Sequence, residues 1–405
     1  MTKSLLFVIE AKCGYTRARA GTLRLKKTYG DEDTWLKKPV LTPIFMPVGT
    51  NGAMKGLLPE QVEATGCSLM LSNTYHLAIR PGAEVVEKAG GLHTFMRWEN
   101  GLLTDSGGFQ MVSLSKLMEV DEKEVRFTSP FDENSVLSLP PEESVRVQEC
   151  LASNIMMQLD DVVSSTLNDD ERYEEATHRT VRWLDRCLQA QSNSRQSLFP
   201  IIQGGLNRDL RKKCVEEMVR RDTAGIAIGG LSGGEEKEKF VETVATSTEN
   251  LPEEKPRYLM GVGYAVDLLL SSALGCDMFD CVFPTRTARF GSALVQLGTT
   301  LHLTNKKYSE DASILDDNCD CVTCSTGINR AYLNFLLRSN NQLACHYLTQ
   351  HNIRFQIRFM SMIRSSIIDG KFKDFMFQTL DHHYGHSSNY PDFVKKTLNI
   401  LNISS

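Results

Sequence analysis

The sequence lacks long apolar runs. No segment approaches the roughly 18 unbroken apolar residues that a membrane-spanning helix needs, and the opening MTKSLLFVIEAKCG has an apolar stretch too short for a secretory signal. Internal repeats and low-complexity tracts are also missing, which argues against fibrous and largely disordered classes. We therefore expect a globular protein that is not exported and that works in the cytoplasm.

Charge of one sign is not in large excess either. Across 405 residues, 45 Lys and Arg stand against 50 Asp and Glu, for a formal net charge of −5. Residues 281–405 hold 13 basic and 9 acidic residues and form the more basic part of the chain. This distribution permits an anionic partner there without requiring one.

The 11 cysteines do not follow the pattern of a disulfide framework, because they are odd in number and scattered from Cys13 to Cys345. Three of them crowd together in the segment CDCVTC, as Cys319, Cys321 and Cys324. Thiolates at this spacing can converge on one zinc ion, and a fourth protein ligand would close a structural tetrahedral site. The candidates for that ligand are Cys345, His346 and His351.

Eight short apolar segments alternate with amphipathic segments of helical spacing. They are residues 40–50, 68–76, 101–110, 154–161, 197–205, 225–234, 257–264 and 276–286. Strands buried on both faces and alternating with helices indicate a parallel sheet, and eight such units predict an α/β fold of the (β/α)8 TIM barrel type. No GxGxxG motif follows the first segment, which disfavours a dinucleotide-binding open sheet.

The chain divides by composition at about residue 300. We predict that residues 1–300 form the barrel, with β insertions at the N-terminus and after the third strand, where residues 125–139 read as a hairpin. Residues 301–405 show no further strand and helix alternation, and we predict an appended zinc-binding helical subdomain that closes against the barrel.

Polar side chains follow several of the predicted strands. They are Asn73, Asp105, Ser106, Gln110, Asp160, Asp161, Gln203 and Asp280. The carboxyl ends of barrel strands meet at one face, where active sites lie. Several carboxylates at one barrel mouth would repel one another unless donors, protons or substrate offset them, so the grouping predicts a site.

Longer motifs resemble those of the tRNA-guanine transglycosylases, most closely the catalytic subunits of the eukaryotic queuine enzymes. The motifs are TDSGGFQ, QLDDVV, IIQGG, IGGLSGGE, LMGVGY and DMFDCVFPTRTARFG, followed by CxCxxC and a downstream HN. The resemblance runs from about residue 15 to about residue 370. It implies exchange of guanine for queuine at the wobble position of certain tRNAs, through a covalent intermediate.

The resemblance also implies roles for individual residues. Asp280 would be the nucleophile that carries the tRNA ribose, and Asp105 the general acid and base. The other residues implied to bind the base are Ser106, Phe109, Asp160, Gln203, Gly230, Leu231 and Met260. Val162 and Gly233 match the eukaryotic form and favour queuine over its smaller bacterial precursor.

Two segments match stretches that contact tRNA in the family. Their residues are Gly261, Val262, Gly263, Tyr264, Thr285, Arg286, Thr287, Ala288 and Arg289. Further phosphate contacts are expected from Lys306, Lys307, Arg354, Arg358 and Arg364. The resemblance implies that the substrates are the tRNAs for Asp, Asn, His and Tyr.

It also implies that the fourth zinc ligand is His351, with His346 as the alternative.

The resemblance implies a heterodimer with a non-catalytic paralogous subunit, and a peripheral association with the mitochondrial outer membrane. One alternative is that this chain is itself the non-catalytic tRNA-binding barrel, although it keeps both Asp105 and Asp280. Another is a retaining glycosidase, which the 3 tryptophans disfavour because sugar binding commonly uses stacked aromatic rings.

Overall fold

The computed structural model describes residues 3–30, 33–108, 118–128 and 136–403. Its strands in chain order are β1 (Leu5–Lys12), β2 (Arg19–Leu25), β3 (Val40–Thr42), β4 (Ile44–Met46), β5 (Leu69–Ser72), β6 (Gly101–Thr104), β7 (Met118–Val120), β8 (Val125–Thr128), β9 (Val136–Leu139), β10 (Ile155–Met157), β11 (Ser197–Phe199), β12 (Ile201–Ile202), β13 (Ile226–Ile228), β14 (Arg257–Leu259), β15 (Met278–Asp280), β16 (Ser292–Val295) and β17 (Thr299–His302).

The helices fill the intervals between these strands and most of the C-terminal region. They are α1 (Pro59–Ala64), α2 (Thr74–Ile79), α3 (Ala83–Lys88), α4 (Leu92–Met96), α5 (Pro141–Leu151), α6 (Asp170–Ala190), α7 (Arg208–Arg220), α8 (Lys237–Glu249), α9 (Ala265–Ala273), α10 (Phe283–Arg289), α11 (Val322–Ser325), α12 (Arg330–Arg338), α13 (Gln342–Ile368), α14 (Phe372–Tyr384) and α15 (Asp392–Ile400).

A closed ring of parallel strands forms the centre of the fold. The hydrogen-bonded order runs β5–β6–β10–β11 and continues as β12–β13–β14–β15–β4, with β11 and β12 separated only by Pro200. A parallel bridge between Val48 and Leu71 joins the first strand position to β5 and completes the ring. Each of the eight predicted segments supplies one strand position of the ring, with β11 and β12 together forming the position in residues 197–205, so the predicted TIM barrel is confirmed.

The interior of the ring is packed with side chains, as expected for a barrel of eight strands. One buried cluster includes Met46, Met157, Ile201, Tyr258 and Met278 from five different strands. A second cluster lies between the strands and the surrounding helices. Because both faces of each strand are buried, the sequence shows continuous apolar runs in place of alternation.

Two small antiparallel sheets extend the barrel. β1, β2 and β3 form the first, and β3 leads directly into β4. β7, β8 and β9 form the second, and the β8–β9 pair lies where the sequence predicts a hairpin. Residues 129–135, between β8 and β9, are outside the described part of the chain.

The region after residue 300 packs closely on the barrel. The antiparallel β16–β17 pair spans that residue, and α13 contacts β4, β16 and α10. α14 contacts α9, and α15 contacts α8. The domain boundary at residue 300 stays a prediction. No helix of the described residues is long and apolar enough to cross a membrane.

A buried ion pair joins the N-terminal sheet to the end of the barrel opposite the site. The Arg19 guanidinium donates through Nε to Asp277 Oδ1 at 2.9 Å and through Nη2 to Oδ2 at 2.6 Å. The Arg257 backbone N–H also donates to Asp277 Oδ2, at 2.7 Å. The Asp277 and Arg19 side chains are 0% and 4% exposed, so removing one partner leaves the other charge buried and unpaired.

We expect Arg19→Met to lower the free energy of unfolding by about 3–5 kcal/mol, measured by urea denaturation, because the Asp277 charge loses its partner. Lys12→Met is the control, since Lys12 pairs with Glu253 at the surface and should cost less than about 1 kcal/mol. Equal effects of the two substitutions would contradict the importance assigned to the buried pair.

Candidate active site

Asp105 and Asp280 lie at the carboxyl ends of two barrel strands. Asp105 follows β6 directly, and Asp280 is the last residue of β15. The phenol of Tyr258 lies within electrostatic reach of both: its pKa is raised well above its ordinary value, by burial first and then by the negative charges of Asp280 and Asp105. The barrel therefore brings together two carboxylates that are separated by most of the barrel sequence.

The neighbours of Asp105 hold its carboxylate in one orientation. The Thr74 backbone N–H donates to Oδ1 at 2.8 Å, and the Asn73 amide donates to Oδ2. The Thr74 hydroxyl donates to the Asp105 carbonyl oxygen at 2.6 Å. Asp105 is 6% exposed, so β5 and the start of α2 position an almost buried carboxylate at the mouth.

Asp280 is anchored through one oxygen. The Tyr258 hydroxyl donates to Oδ1 at 2.6 Å, and the Gly261 N–H donates to the same atom at 2.9 Å. Within the described residues, Oδ2 accepts no hydrogen bond. Burial raises the pKa of Asp280, and the bonds from Tyr258 and Gly261 oppose that rise. One oxygen is thus held, while the other accepts no bond from the described part of the chain and lies at a partly exposed position.

A third carboxylate, Asp160, belongs to a buried polar cluster. Gln203 Nε2 donates to Asp160 Oδ2 at 2.7 Å, and the Ser106 hydroxyl donates to Oδ1 at 3.2 Å. Burial is the largest influence on Asp160 and raises its pKa to about 6. A Cβ on Gly108 would lie 3.4 Å from Asp160 Oδ1, so the backbone packs closely there.

The loop after β13 lies against Gln203. Gly230 has φ +67°, and a Cβ there would come within 2.3 Å of Gln203 Oε1, so only glycine fits this approach. A Cβ on Gly229 would lie 3.5 Å from the Met260 sulfur. Leu231 is partly buried and packs against the cluster between the strands and the surrounding helices. Phe109 and Gln110 lie outside the described residues.

Glu235 ties two neighbouring loops together, and sequence reasoning did not single it out. It accepts hydrogen bonds from the backbone N–H groups of Ser232 and Gly233 and from the Ser165 hydroxyl. A Cβ on Gly233 would lie 2.5 Å from Ser165 Oγ, so this glycine permits the close contact between the loops. Val162, on the first of these loops, is partly buried. The IGGLSGGE motif ends at Glu235, but no pattern in it indicates a loop-bridging role.

Asp161 has a different environment from its neighbour Asp160. Arg172 donates to both of its carboxylate oxygens, and Arg179 Nη1 donates to Oδ2 at 2.6 Å. Both arginines belong to α6, and Asp161 is fully buried. Its charge is therefore neutralised within the protein, which sets it apart from the other strand-end carboxylates.

The segments predicted to contact tRNA expose only some of their side chains. Tyr264 is 60% exposed, and its ring lies 4.3 Å from that of Phe283. Arg286 and Arg289 are exposed on α10. Gly261 is also exposed. Residues that are at least partly buried form the rest of the set: Val262, Gly263, Thr285, Thr287 and Ala288.

The other predicted phosphate contacts divide into two groups. Lys306 and Lys307 are exposed. The three arginines of α13 pair with carboxylates of the protein: Arg354 with Asp320, Arg358 with Asp316 and Arg364 with Glu10. The helical spacing of these arginines is the same for a solvent-exposed basic face and for a face that pairs with the protein's own carboxylates, and the structure shows the second arrangement.

A buried group of three cysteines and one histidine lies beside the barrel. The ligand atoms of Cys319, Cys321, Cys324 and His351 all fall within 4.8 Å of one another. His351 Nδ1 faces the sulfurs, and its Nε2 donates to the Leu294 carbonyl at 2.7 Å. This arrangement fits a metal, because a ligating histidine commonly uses its second nitrogen for such a bond.

His346 is not part of this group. Its Nδ1 contacts the Gly56 carbonyl oxygen at 2.6 Å, and its Nε2 lies 3.4 Å from Gln61. Cys345 is outside the group as well. Of the three candidates for the fourth ligand, the fold brings only His351 to the thiols.

Comparisons with known proteins agree with this geometry. The model of the family described as queuine tRNA-ribosyltransferase matches residues 13–385. The Schizosaccharomyces pombe queuine tRNA-ribosyltransferase catalytic subunit is 49% identical over 409 residues, covering 99% of this chain and 98% of that protein. The Caenorhabditis briggsae catalytic subunit is 49% identical over 375 residues, covering 93% and 90%.

A bacterial relative is similar over almost the same length. Queuine tRNA-ribosyltransferase of Thermus thermophilus is 44% identical over 379 residues, covering 94% of this chain and 94% of that protein. The match therefore includes the strand ends, the loops of the mouth and the cysteine group. This chain belongs to the queuine tRNA-ribosyltransferase family.

Proposed function

We propose that this chain is a tRNA-guanine transglycosylase that replaces guanine at wobble position 34 of tRNAs for Asp, Asn, His and Tyr with queuine. One observation carries the proposal. Asp105 and Asp280 lie at the ends of different strands at one barrel mouth, close enough that the negative charge of each raises the pKa of the Tyr258 phenol. Two carboxylates at one mouth suit a displacement with net retention at a ribose carbon. The third carboxylate, Asp160, suits recognition of a purine edge.

Asp280 would act as the nucleophile. Its Oδ2 would form a bond to ribose C1′ as the bond from C1′ to guanine N9 breaks, and the electron pair would pass to the departing base. Tyr258 and Gly261 hold Oδ1, which leaves Oδ2 oriented for attack. Attack by the arriving base would then release the Asp280 carboxylate and give net retention.

Asp105 would transfer the protons of both half-reactions. It would donate a proton to the departing guanine and accept one from N9 of the arriving queuine, so that the protons balance over a full exchange. Asn73 and Thr74 fix its two oxygens. The same carboxyl group can therefore serve as acid in one step and as base in the next.

Asp160 would recognise the base. An ionised carboxylate accepts hydrogen bonds from N1–H and the N2 amino group of guanine, while O6 needs donors, which Gln203 and the Gly230 N–H can supply. Gln203 already bonds to Asp160, so the two side chains form one continuous surface for the purine edge. Ser106 supports Asp160 from its other oxygen.

The target nucleotide has to leave the anticodon loop to reach this mouth. Arg286, Arg289 and Tyr264 are the exposed side chains of the predicted tRNA-contacting segments, and we propose that they hold the neighbouring nucleotides. Arginine forks bind phosphates and stack on bases, and an exposed tyrosine ring offers a stacking surface. Selection of queuine over its smaller precursor is proposed to involve the loops that carry Val162 and Gly233.

The group of Cys319, Cys321, Cys324 and His351 would hold one zinc ion. Three thiolates and an imidazole leave no open position on a tetrahedral ion, so the metal would stabilise local structure without activating water. We propose that residues 301–405 act as a subdomain organised around this site, joined to the barrel through α13.

We also propose a heterodimer with a non-catalytic subunit, since the relatives from S. pombe and C. briggsae are called catalytic subunits. Full exchange activity of the purified chain alone would contradict it. The location is proposed to be the cytoplasm, with a peripheral fraction on mitochondria. A complete absence of the protein from washed mitochondria would exclude that fraction.

Asp280→Asn should lower guanine exchange by about a thousandfold or more, because an amide is a poor nucleophile. It should also abolish any tRNA adduct that survives denaturation. Incorporation of labelled guanine and a denaturing gel measure the two effects. Asp105→Asn is the contrast and should slow turnover while leaving tRNA binding largely intact. Wild-type exchange by the Asp280 variant would refute the nucleophile assignment.

Base recognition should weaken as the pH falls through about 6, since burial raises the pKa of Asp160 to about 6 and its acid form cannot accept both guanine hydrogens. Below that pH, kcat/KM for guanine should drop by about tenfold per pH unit. A folded-state pKa above the ordinary carboxyl value also means that this group's contribution to stability declines as pH rises toward 6.

Ser106→Ala tests the same assignment. It removes a donor that lowers the pKa of Asp160, so the acidic limb should move to higher pH. Ser164→Ala is the matched control, because the exposed Ser164 hydroxyl bonds only to Thr166 within the described residues, and should leave the limb in place. An unmoved limb in Ser106→Ala would contradict the role of Asp160.

Cys321→Ser should reduce bound zinc to well below one per chain and lower the melting temperature by on the order of 10 °C, because a structural metal contributes folding energy directly. Elemental analysis and thermal unfolding measure these effects. Cys345→Ser, outside the group on α13, should change neither quantity appreciably. Wild-type protein that contains no zinc after gentle purification would refute the assignment of the metal.

A further inference from the structure

The middle of α13 buries an unusual set of polar side chains. They are Thr349, Gln350, His351, Asn352 and Gln356, each 4% exposed or less. Burying amides and imidazoles costs free energy unless they find hydrogen-bond partners. The partners of three of these side chains are backbone groups in the segments that follow β15, which carries the proposed nucleophile, and its neighbour β14.

Asn352 makes the largest number of these contacts. It is 0% exposed, and its Nδ2 donates to the Pro284 carbonyl at 3.1 Å and to the Ser292 carbonyl at 2.9 Å. Its Oδ1 accepts from the Leu294 N–H at 2.9 Å. One side chain therefore binds the second residue of α10 and two residues of β16, the strand that follows α10.

The neighbouring polar residues of α13 reinforce this contact. His351 donates to the Leu294 carbonyl, so two consecutive residues of the helix hold the N–H and the carbonyl of one residue. Gln356, one turn further along, donates to the Gly263 carbonyl in the loop after β14. The cysteine group and the mouth of the barrel are thus linked through one buried face of α13.

We propose that Asn352 is a positioning residue that sets α10, and with it the exposed Arg286 and Arg289, relative to Asp280. α10 begins three residues after Asp280. Among the described residues, neither Arg286 nor Arg289 forms an ion pair with a carboxylate. The Asn352 amide is the side chain that holds the start of this helix from α13. The part of the proposal that concerns tRNA rests on the proposed function.

Asn352→Ala, in the full-length chain and in the assembly in which the wild type is active, tests the proposal. Asn334→Ala is the matched control. Asn334 is also a buried asparagine of the C-terminal region, and its Nδ2 donates to the carbonyls of Leu303 and Asn305, away from α10. Both substitutions remove two amide-to-carbonyl hydrogen bonds, but only one of them affects α10.

We expect Asn352→Ala to raise KM for tRNA by about tenfold, with kcat and KM for the free base changed by less than about threefold. Zinc should stay at one per chain. Amide hydrogen exchange of residues 286–290 should become faster. Asn334→Ala should leave KM for tRNA and the exchange of α10 near wild type. Equal changes in the two variants, or loss of zinc in step with activity, would overturn the proposal.

Asn352→Asp separates the two sides of the contact. It keeps an acceptor for the Leu294 N–H but places a carboxylate oxygen against the carbonyls of Pro284 and Ser292. We expect it to raise KM for tRNA at least as much as alanine does. Wild-type behaviour would overturn the proposal, since it would show that the bond to Leu294 is sufficient. If the alanine variant aggregates, Asn352→Ser replaces it, because serine keeps one short hydrogen-bond donor. Its amide hydrogen exchange in α10 should be faster than in the wild type, and exchange as slow as in the wild type would overturn the proposal.

Guanine exchange and amide hydrogen exchange of α10 test the two proposals separately. If the wild-type chain does not exchange guanine even when assembled with the second subunit, the proposed function is wrong, while the hydrogen-exchange comparison still tests the positioning of α10. If exchange activity is present and α10 protection is the same in Asn352→Ala and wild type, the positioning proposal is wrong and the proposed function stands.

Discussion

The pairing of β15 with β4 closes the barrel, and the arrangement of the site depends on that closure. Met278, Phe279 and Asp280 pair with Ile44, Phe45 and Met46, so the last strand meets the first. In an open sheet, the ends of the third and eighth strands would lie far apart. In a ring they share one mouth, which brings Asp105 and Asp280 within electrostatic reach of the same Tyr258 phenol.

The mouth gathers several buried carboxylates, and the protein offsets the cost of burying their charges in different ways. Two arginines of α6 neutralise Asp161, so that it acts as a structural ion pair. Asp160 and Asp280 receive only neutral donors among the hydrogen bonds described above. Burial raises the pKa of Asp160 and Asp280, and neutral donors oppose this only in part. A carboxylate without a resident cation remains available to a substrate.

The C-terminal region contributes to the mouth through α13 as well as covering the barrel. The helix supplies His351 to the cysteine group and packs on β4, the first barrel strand. Its buried amides then bind backbone groups next to α10. Through these bonds α13 links the cysteine group to α10, the helix that follows Asp280.

By itself, the sequence determined the eight strands, the barrel and the cysteine spacing, because strands buried on both faces produce apolar runs that are easily read, and because the motifs are long. It also placed Asp105, Asp160 and Asp280 at strand ends. The resemblance assigned the purine edge to Asp160, but nothing in the sequence indicated what holds its neighbour Asp161. Only the fold directs Asp161 to Arg172 and Arg179.

Tertiary structure alone decided which distant groups meet. Spacing left Cys345, His346 and His351 as candidates, and the resemblance favoured His351. The course of α13 turns His351 toward the thiols and His346 toward Gly56. The arginines of α13 looked free in sequence but find carboxylates in the fold. Glu235 and Asn352 lie in motifs that the sequence shows, but neither these motifs nor the segment around Tyr258 indicates the residues' roles. Those roles depend on hydrogen bonds to residues remote in the chain, which form only in the folded barrel.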